Sequence, residues 1–408
     1  MSNKSIPIIF KNLTGQDAYV QFLNGHFGTG QTGANGTVNL AGDTAYSFTE
    51  LSSEVPGHSS LGSVPNVSLN DFTNGRIYFN LGSAGLSNLG SGYQPSSSDS
   101  HDPNYSVRYG FIEPNVFGNS ANNMDLSFID FFGLSITAST FKDGKEVATL
   151  PCAYGCQIID ALAPLTNNNA CIPEGAPTPP YTDFARILGP GHSSAYHDWT
   201  AYLNHLEGSP YTTQIAGYYG GDGSNSGPLV EGQDYSFTAA FSQADATVTL
   251  TGTCGLVGAT TIVMTYADLN AVTGIYGANP PYTITNTNHG GSTVGIVNNV
   301  FGWVVGDLLA GLNFGYPGSS TPMPGTSNVF GQATSSEWFA ATKADASLQF
   351  GGVQSNSDHY NQYAAALQPL AEAYGFSFTD RLGNILIPFG PDNVDYLVIT
   401  LQSDAQPA

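Results

Sequence analysis

The sequence predicts a mainly β protein with an α+β second domain, on three observations. Gly (49), Pro (24), Tyr (22) and Phe (23) are abundant, while Asp, Glu, Lys and Arg make up only 10% of the chain; this mix suits pleated strands joined by tight turns. From residue 8 to 150, short β-rich runs follow one another between Gly, Asn, Asp and Ser clusters, as in a sandwich or barrel. After Pro151 helical spacings enter beside the strand-like ones, and 408 residues are enough for two sizeable cores.

In chain order, strands are expected at 8–11, 18–23, 75–80, 106–113, 126–136 and 145–150, with a long surface loop over 82–104. These make a first domain over 1–150. Pro-rich connectors near 172–180 open a mixed α/β domain over 151–384. Within it, Trp199, Tyr202, Leu203 and Leu206 recur at helical spacing, and 235–240 with 247–251 alternate like a hairpin. Val297, Val300, Phe301, Val304, Val305 and Leu308 form one broad apolar stripe; Tyr360, Tyr363, Ala364, Leu367, Leu370 and Ala371 form another. Strands return at 375–379, 385–388 and 396–401, and the C-terminal segment 385–408 is expected to complete the first domain.

Charge and cysteine usage narrow the function. Nine basic residues against 31 acidic ones give a formal charge of -22, which repels phosphate backbones and anionic membranes. Neither nucleic acid nor membrane is an expected partner. The most apolar segment, 297–312, carries Asn298, Asn299 and Asp307 and reads as a core helix, too short to span a bilayer. The N-terminus enters a strand pattern without the profile of a secretion signal. Cys152, Cys156, Cys171 and Cys254 leave a local bridge within 152–171 and free thiols as equal alternatives.

Two predicted strands carry acids where apolar residues would be ordinary. Period-2 alternation puts Tyr109, Phe111 and Glu113 on one face of the first, and Leu126, Phe128 and Asp130 on one face of the second. The segment 114–123, with its Asn, Gly and Ser, reads as a hairpin loop that sets the two strands side by side. Glycoside hydrolysis needs such a pair, one carboxyl giving a proton and the other activating water or attacking carbon. Glu113, between Ile112 and Pro114, reads as the acid held neutral by apolar surroundings, and Asp130 as the base. The bland alternative is a surface strand end and a carboxylate capping a turn.

The runs GRIYF at 75–79, DPN at 102–104, YGFIEPNV at 109–116 and LSFIDFFG at 126–133, with a later landmark from His359 to Asp380, resemble the family 64 β-1,3-glucanases of the laminaripentaose-producing type. The resemblance implies a thaumatin-like sandwich joined to a mixed domain, with a wide groove. It further implies inverting, endo-type hydrolysis of β-1,3-glucan to short laminari-oligosaccharides without metal or cofactor, with Glu113 as proton donor and Asp130 as base. The substrate-binding positions it carries over are Asn115, Ser127 and Asp380; Asn123 stands where an aromatic is usual, and Phe117 is the candidate substitute. Pro114 and Asn115 depart from the aromatic-Thr pair that follows the family's acid, and simple alternation puts Ser127 opposite Asp130 unless the strand bulges. An extracellular monomer is expected, and a non-catalytic glucan binder on the same scaffold is the rival reading.

Other constellations carry less. His192, His197 and His205 are close in sequence without further evident ligands. Trp199 and Trp303 fall on or beside apolar helical stripes and read as core, whereas Trp338, in SSEWFA, is the freer candidate for stacking on a sugar. Gly220 to Ser224 lacks the Lys and helix of a phosphate loop.

Overall fold

Strand alternation and turn residues dominate the chain, and the fold is accordingly mainly β with few helices. The computed structural model describes residues 6–27, 32–33, 44–48, 52–54, 63–69, 72–82, 84–89, 94–117, 121–219, 233–254, 258–277, 279–286, 291–294, 300–382 and 385–405. The Gly-rich run at 220–224 lies outside them. The chain forms two compact units: unit 1 comprises 1–195, 366–375 and 385–408, and unit 2 comprises 196–365 and 376–384.

Unit 1 is a sandwich. One sheet runs β12 (Lys145–Leu150), β11 (Ile136–Lys142), β22 (Tyr396–Leu401), β1 (Ile6–Asn12), β6 (Ser63–Leu69) and β3 (Thr32–Gly33), with β5 (Ser52–Glu54) beside β6. The other runs β21 (Ile387–Pro388), β9 (Asn123–Leu126), β8 (Tyr109–Asn115), β7 (Phe72–Leu81), β2 (Ala18–Phe27) and β4 (Tyr46–Ser47). Alternation sends Ile8, Phe10, Ile136, Leu397 and Ile399 of the first sheet and Val20, Phe22, Ile77, Phe79 and Ile112 of the second into one shared core. Each such side chain contributes roughly 1.5–3 kcal/mol when fully buried. The C-terminal strand β22 lies between β1, to which it is parallel, and β11, to which it is antiparallel. Its near-continuous apolar run fits a strand covered on both faces.

Two expectations change here. The predicted strand 126–136 is broken, because after Leu126 the backbone partner switches: the Tyr374 N–H donates to the Leu126 carbonyl and the Phe128 N–H to that of Tyr374. Only β10 (Phe131–Phe132) and then β11 resume the strand. The domain boundary also lies near 195, not 150. Residues 151–195 stay with unit 1, where β10 pairs with β14 (Arg186–Leu188) and β14 with β13 (Cys171–Ile172), beyond the helix α1 (Gly155–Leu162). The fully buried Arg186 fastens this segment by donating to the carbonyls of Ser97, Asn104, Tyr105 and Val107. The four cysteines form no disulfide with one another, and Cys152 accepts a hydrogen bond from Ser135.

Unit 2 is an antiparallel meander of β15 (Thr213–Tyr219), β16 (Gln233–Ser242), β17 (Thr247–Cys254), β18 (Gly258–Thr265), β19 (Thr283–Asn286) and β20 (Gly291–Val294). With it go α2 (Thr200–Glu207), α3 (Tyr266–Asn270), α4 (Val300–Phe314) and α5 (Ser335–Ala344). The core helix expected over 297–312 is α4, buried nearly all round. Its Asp307 is tied down by Arg381, Tyr235 and Ser335. Trp338 is core, not a surface platform: it lies on α5 and its Nε1 donates to the Phe330 carbonyl. Trp303, expected in the core, is 37% exposed, with Arg381 over its ring. The stripe from Tyr360 is helical only over α6 (Gln362–Leu367). Among the described residues no helix is long and apolar enough to cross a membrane.

Candidate active site

The second sheet of unit 1 has a polar patch on the face turned away from the sandwich core. On β8 the side chains alternate: Ile112 and Pro114 are buried, Glu113 and Asn115 half-buried. Tyr78, Tyr109, Phe111 and Phe131 form a smaller apolar cluster on that outer face. Antiparallel register then sets the row. Ile77 pairs with Ile112, so Arg76 of β7 stands opposite Glu113 one step further on. On the other side of β8, Glu113 pairs with Asp125 of β9 and Asn115 with Asn123.

Arg76 is the hub. Its Nε donates to Glu113 Oε1 at 3.0 Å, and a terminal nitrogen lies 4.0 Å from Asp130 Oδ2. Its guanidinium rests on the Phe111 ring, 4.1 Å from the centroid, a contact that fixes its plane. Burial works against its charge, yet Glu113, Tyr78 and Asp130 hold it still more firmly protonated than an ordinary arginine. Both carboxylates thus meet one guanidinium, which holds them at the same site. The side chains of Glu113 and Asp130 remain 36% and 31% exposed. A ligand can therefore reach both.

Asp130 comes from outside the strands, in the bend before β10. The pairing of Phe131 with Leu188 carries the chain leaving β14 past it, and the Gly189 N–H donates to the Asp130 carbonyl. A turn follows in which the His192 N–H donates to the Gly189 carbonyl, setting His192 Nε2 3.0 Å from Asp130 Oδ1. Burial would raise the Asp130 carboxyl, but the His192 hydrogen bond and the charges of His192 and Arg76 outweigh it and hold the group below the usual aspartate range. A base that stays ionised suits activation of water. Gly189 is essential to this arrangement, since a Cβ there would sit 2.2 Å from the Ile129 carbonyl oxygen. Gly189→Ala is expected to cost about 1–3 kcal/mol, read as a lowered denaturation midpoint.

The residues named from sequence fall out unevenly. Glu113 and Asp130 converge on Arg76. Asn115 and Asn123 face each other, with Nδ2 of the first 3.3 Å from Oδ1 of the second. Phe117 is 46% exposed, and its N–H is held by the Asn122 side chain. Ser127 is buried where the backbone bridges to Tyr374, and since β9 ends at Leu126 it shares no strand face with Asp130. Asp380 lies in unit 2 on a short 3-10 turn, its side chain 49% exposed.

The apolar neighbours of Glu113 in sequence point into the core, whereas its own face carries Arg76. The carboxyl that burial and the Glu113 charge push up, against the pull of Arg76, is Asp125, to about 7. Arg76, Asp125 and His192 were not singled out from sequence as part of a site with Glu113 and Asp130. The available signals were Arg76, one of only nine basic residues in the chain, beside the apolar run Ile77 to Phe79, and Asp125, an acid directly between Met124 and Leu126 of its own strand.

Residues 4–205 match the family model described as β-1,3-glucanase, glycoside hydrolase family 64. Among solved structures, a laminaripentaose-producing β-1,3-glucanase in complex with laminaritetraose is 16% identical with a TM-score of 0.61, the match covering 98% of this chain and 99% of that one. A β-1,3-glucanase domain (GH64) from Clostridium beijerinckii is 10% identical with a TM-score of 0.46, covering 98% of each chain. The laminaripentaose-producing β-1,3-glucanase from Paenibacillus barengoltzii, complexed with laminarihexaose, is 13% identical with a TM-score of 0.45, covering 98% of this chain and 75% of that one. The first of these likenesses establishes a shared fold. No curated protein matches the chain.

Proposed function

We propose that the chain, whose residues 4–205 match the β-1,3-glucanase model of glycoside hydrolase family 64, hydrolyses β-1,3-glucan by an inverting, endo-type mechanism with Glu113 as acid and Asp130 as base. The observation that carries this reading is one guanidinium, Arg76, between two solvent-reachable carboxylates on the outer face of a rigid sheet. Glu113 gives its proton to the glycosidic oxygen as the bond to the anomeric carbon breaks. Asp130, held ionised beside His192, takes a proton from the water that attacks that carbon from the opposite side. The products are short laminari-oligosaccharides.

Asn115 and Asn123 supply amide donors and acceptors for sugar hydroxyls beside Glu113, and Phe117 an apolar ring for a sugar face. Pro114 packs on the core side of β8, so its departure from the family pattern leaves the Glu113 face free, whereas the departure at Asn115 falls on that face. We read unit 1 as the thaumatin-like sandwich of the family and the protein as an extracellular monomer, a setting in keeping with a polymeric, uncharged substrate. The net charge of -22 does not oppose such a substrate.

The rival reading is a binder that does not cut. Incubating the protein with laminarin or curdlan and assaying soluble reducing oligosaccharides separates the two. Release of oligosaccharides together with retention on insoluble glucan supports the hydrolase; retention without release leaves only the binder.

A further inference from the structure

The row that holds Glu113 contains a third carboxyl. Asp125 pairs directly with Glu113 across β8 and β9, which sets their Cβ atoms about 5 Å apart on one face. Its Oδ1 is fully buried and has no hydrogen-bond partner. An ionised carboxylate in that position forgoes solvation at high cost. The charged and titratable groups gathered on this face are Arg76 and Tyr78 from β7, Glu113 from β8, Asp130 from the bend before β10 and His192 from the turn after β14. From the other side, β21 pairs Ile387 with Met124 and Pro388 with Asn123 of β9, and the Tyr374 N–H donates to the Leu126 carbonyl. Among the described residues Arg76 is therefore the sole fixed cation serving these three acids, and its hydrogen bond goes to Glu113.

Two carboxyls on adjacent strands titrate as a pair, and one proton between them relieves their repulsion. We propose that Asp125 is a positioning residue that shares one proton with Glu113, and that this shared proton lets Glu113 act as the acid while in contact with Arg76. At rest the proton sits on Asp125. The Asp125 O–H breaks as an O–H forms on Glu113, and that same proton passes from Glu113 to the leaving oxygen; both carboxyls are then ionised, and the pair regains one proton from solvent, matching the proton that Asp130 takes from water and returns. Burial and the Glu113 charge, which push Asp125 up to about 7, agree with this placement. The proposal deepens the hydrolase reading of the same site and rests on it.

Asp125→Asn removes the partner but keeps the shape. The alkaline limb of kcat/KM on laminarin is expected to move down by about one unit, a loss of about tenfold at neutral pH that shrinks towards pH 5, with retention on insoluble glucan unchanged. An alkaline limb superimposable on that of the parent overturns the proposal. A second measurement does not need the variant to fold or any activity: carbon-13 carboxyl titration of aspartate-labelled protein. Asp125 is expected to titrate near neutrality in the parent and to fall by about half a unit or more in Glu113→Gln. An Asp125 carboxyl that titrates in the ordinary aspartate range, or ignores Glu113→Gln, also overturns it. Should the carboxyl behave as expected while laminarin is left uncut, the hydrolase reading fails and the shared proton stands.

Discussion

Glu113→Gln is expected to lower kcat on laminarin by about a thousandfold while leaving retention on insoluble glucan within about twofold of the parent, because a positioned acid contributes roughly 10²–10⁴ to rate. The amide keeps the shape of Glu113 and can still meet Arg76 at the carbonyl oxygen, so the sheet face is preserved. What it lacks is a proton to give. Asp130→Asn is expected to reach a similar loss from the other side, since the amide takes no proton from water although it can still accept from His192. The two act as a unit, and the double variant is expected to be little worse than either alone. A variant of either residue with more than about a tenth of parental kcat would remove that residue from the chemistry.

Arg76→Met is expected to lower kcat/KM by about a hundredfold, the loss typical of a charged group acting at the site of reaction. It strands Glu113 and Asp130 without their common counter-charge. The sign of its pH effect follows from Asp130, which burial raises but His192 and Arg76 together hold below the usual range. Without Arg76 the carboxyl keeps its proton to higher pH, so the acid limb of the rate profile moves up by about one unit. The stability that Asp130 contributes is present above its unfolded value and is lost as pH falls through its depressed folded one. The variant therefore loses this acid-side contribution at a higher pH than the parent, while the buried methionine stem still covers Phe111. Arg76→Lys is expected to recover only part of the rate, since an ammonium keeps the charge without the planar fork. A rate profile for Arg76→Met with an unmoved acid limb speaks against Arg76 as the shared counter-ion.

Alternation was enough to read the sandwich strands and to put Tyr109, Phe111 and Glu113 on one face, because a half-buried strand writes its period into the sequence. It misled over 126–136, where the residues still look strand-like but the backbone partner changes at Leu126 to Tyr374, a choice made 248 positions away. Glu113 and Asp130 were legible because a carboxyl in an apolar run is conspicuous, and the family resemblance raised them further. Their neighbours were not, since each arrives by register or long-range pairing: Arg76 through β7, Asp125 through β9, and His192 through the turn that β14 carries past β10. Register depends on the turn between strands, and 114–123 leaves it open. Trp338 illustrates a missed local signal. Thr334 and Glu337 form a capping box that opens α5, and a helix start there places Trp338 among core positions instead of on a loop.

The residues of 151–195 were assigned to the second domain from a change in composition, yet composition does not record which sheet a segment joins. Arg186 decides it, by closing its guanidinium onto the carbonyls of Asn104, Tyr105 and Val107. The same docking of β14 sets Gly189 and His192 beside Asp130. One buried arginine thus links the packing of unit 1 to the electrostatics of its candidate base.

The most direct test follows the anomeric protons of the first products released from laminarin by the intact protein, using time-resolved proton NMR. Attack by an Asp130-activated water opposite the bond that Glu113 protonates predicts that new reducing ends appear first as the α-anomer and then mutarotate. New ends appearing first as the β-anomer, or no new ends at all, would contradict the assignment of these two carboxyls.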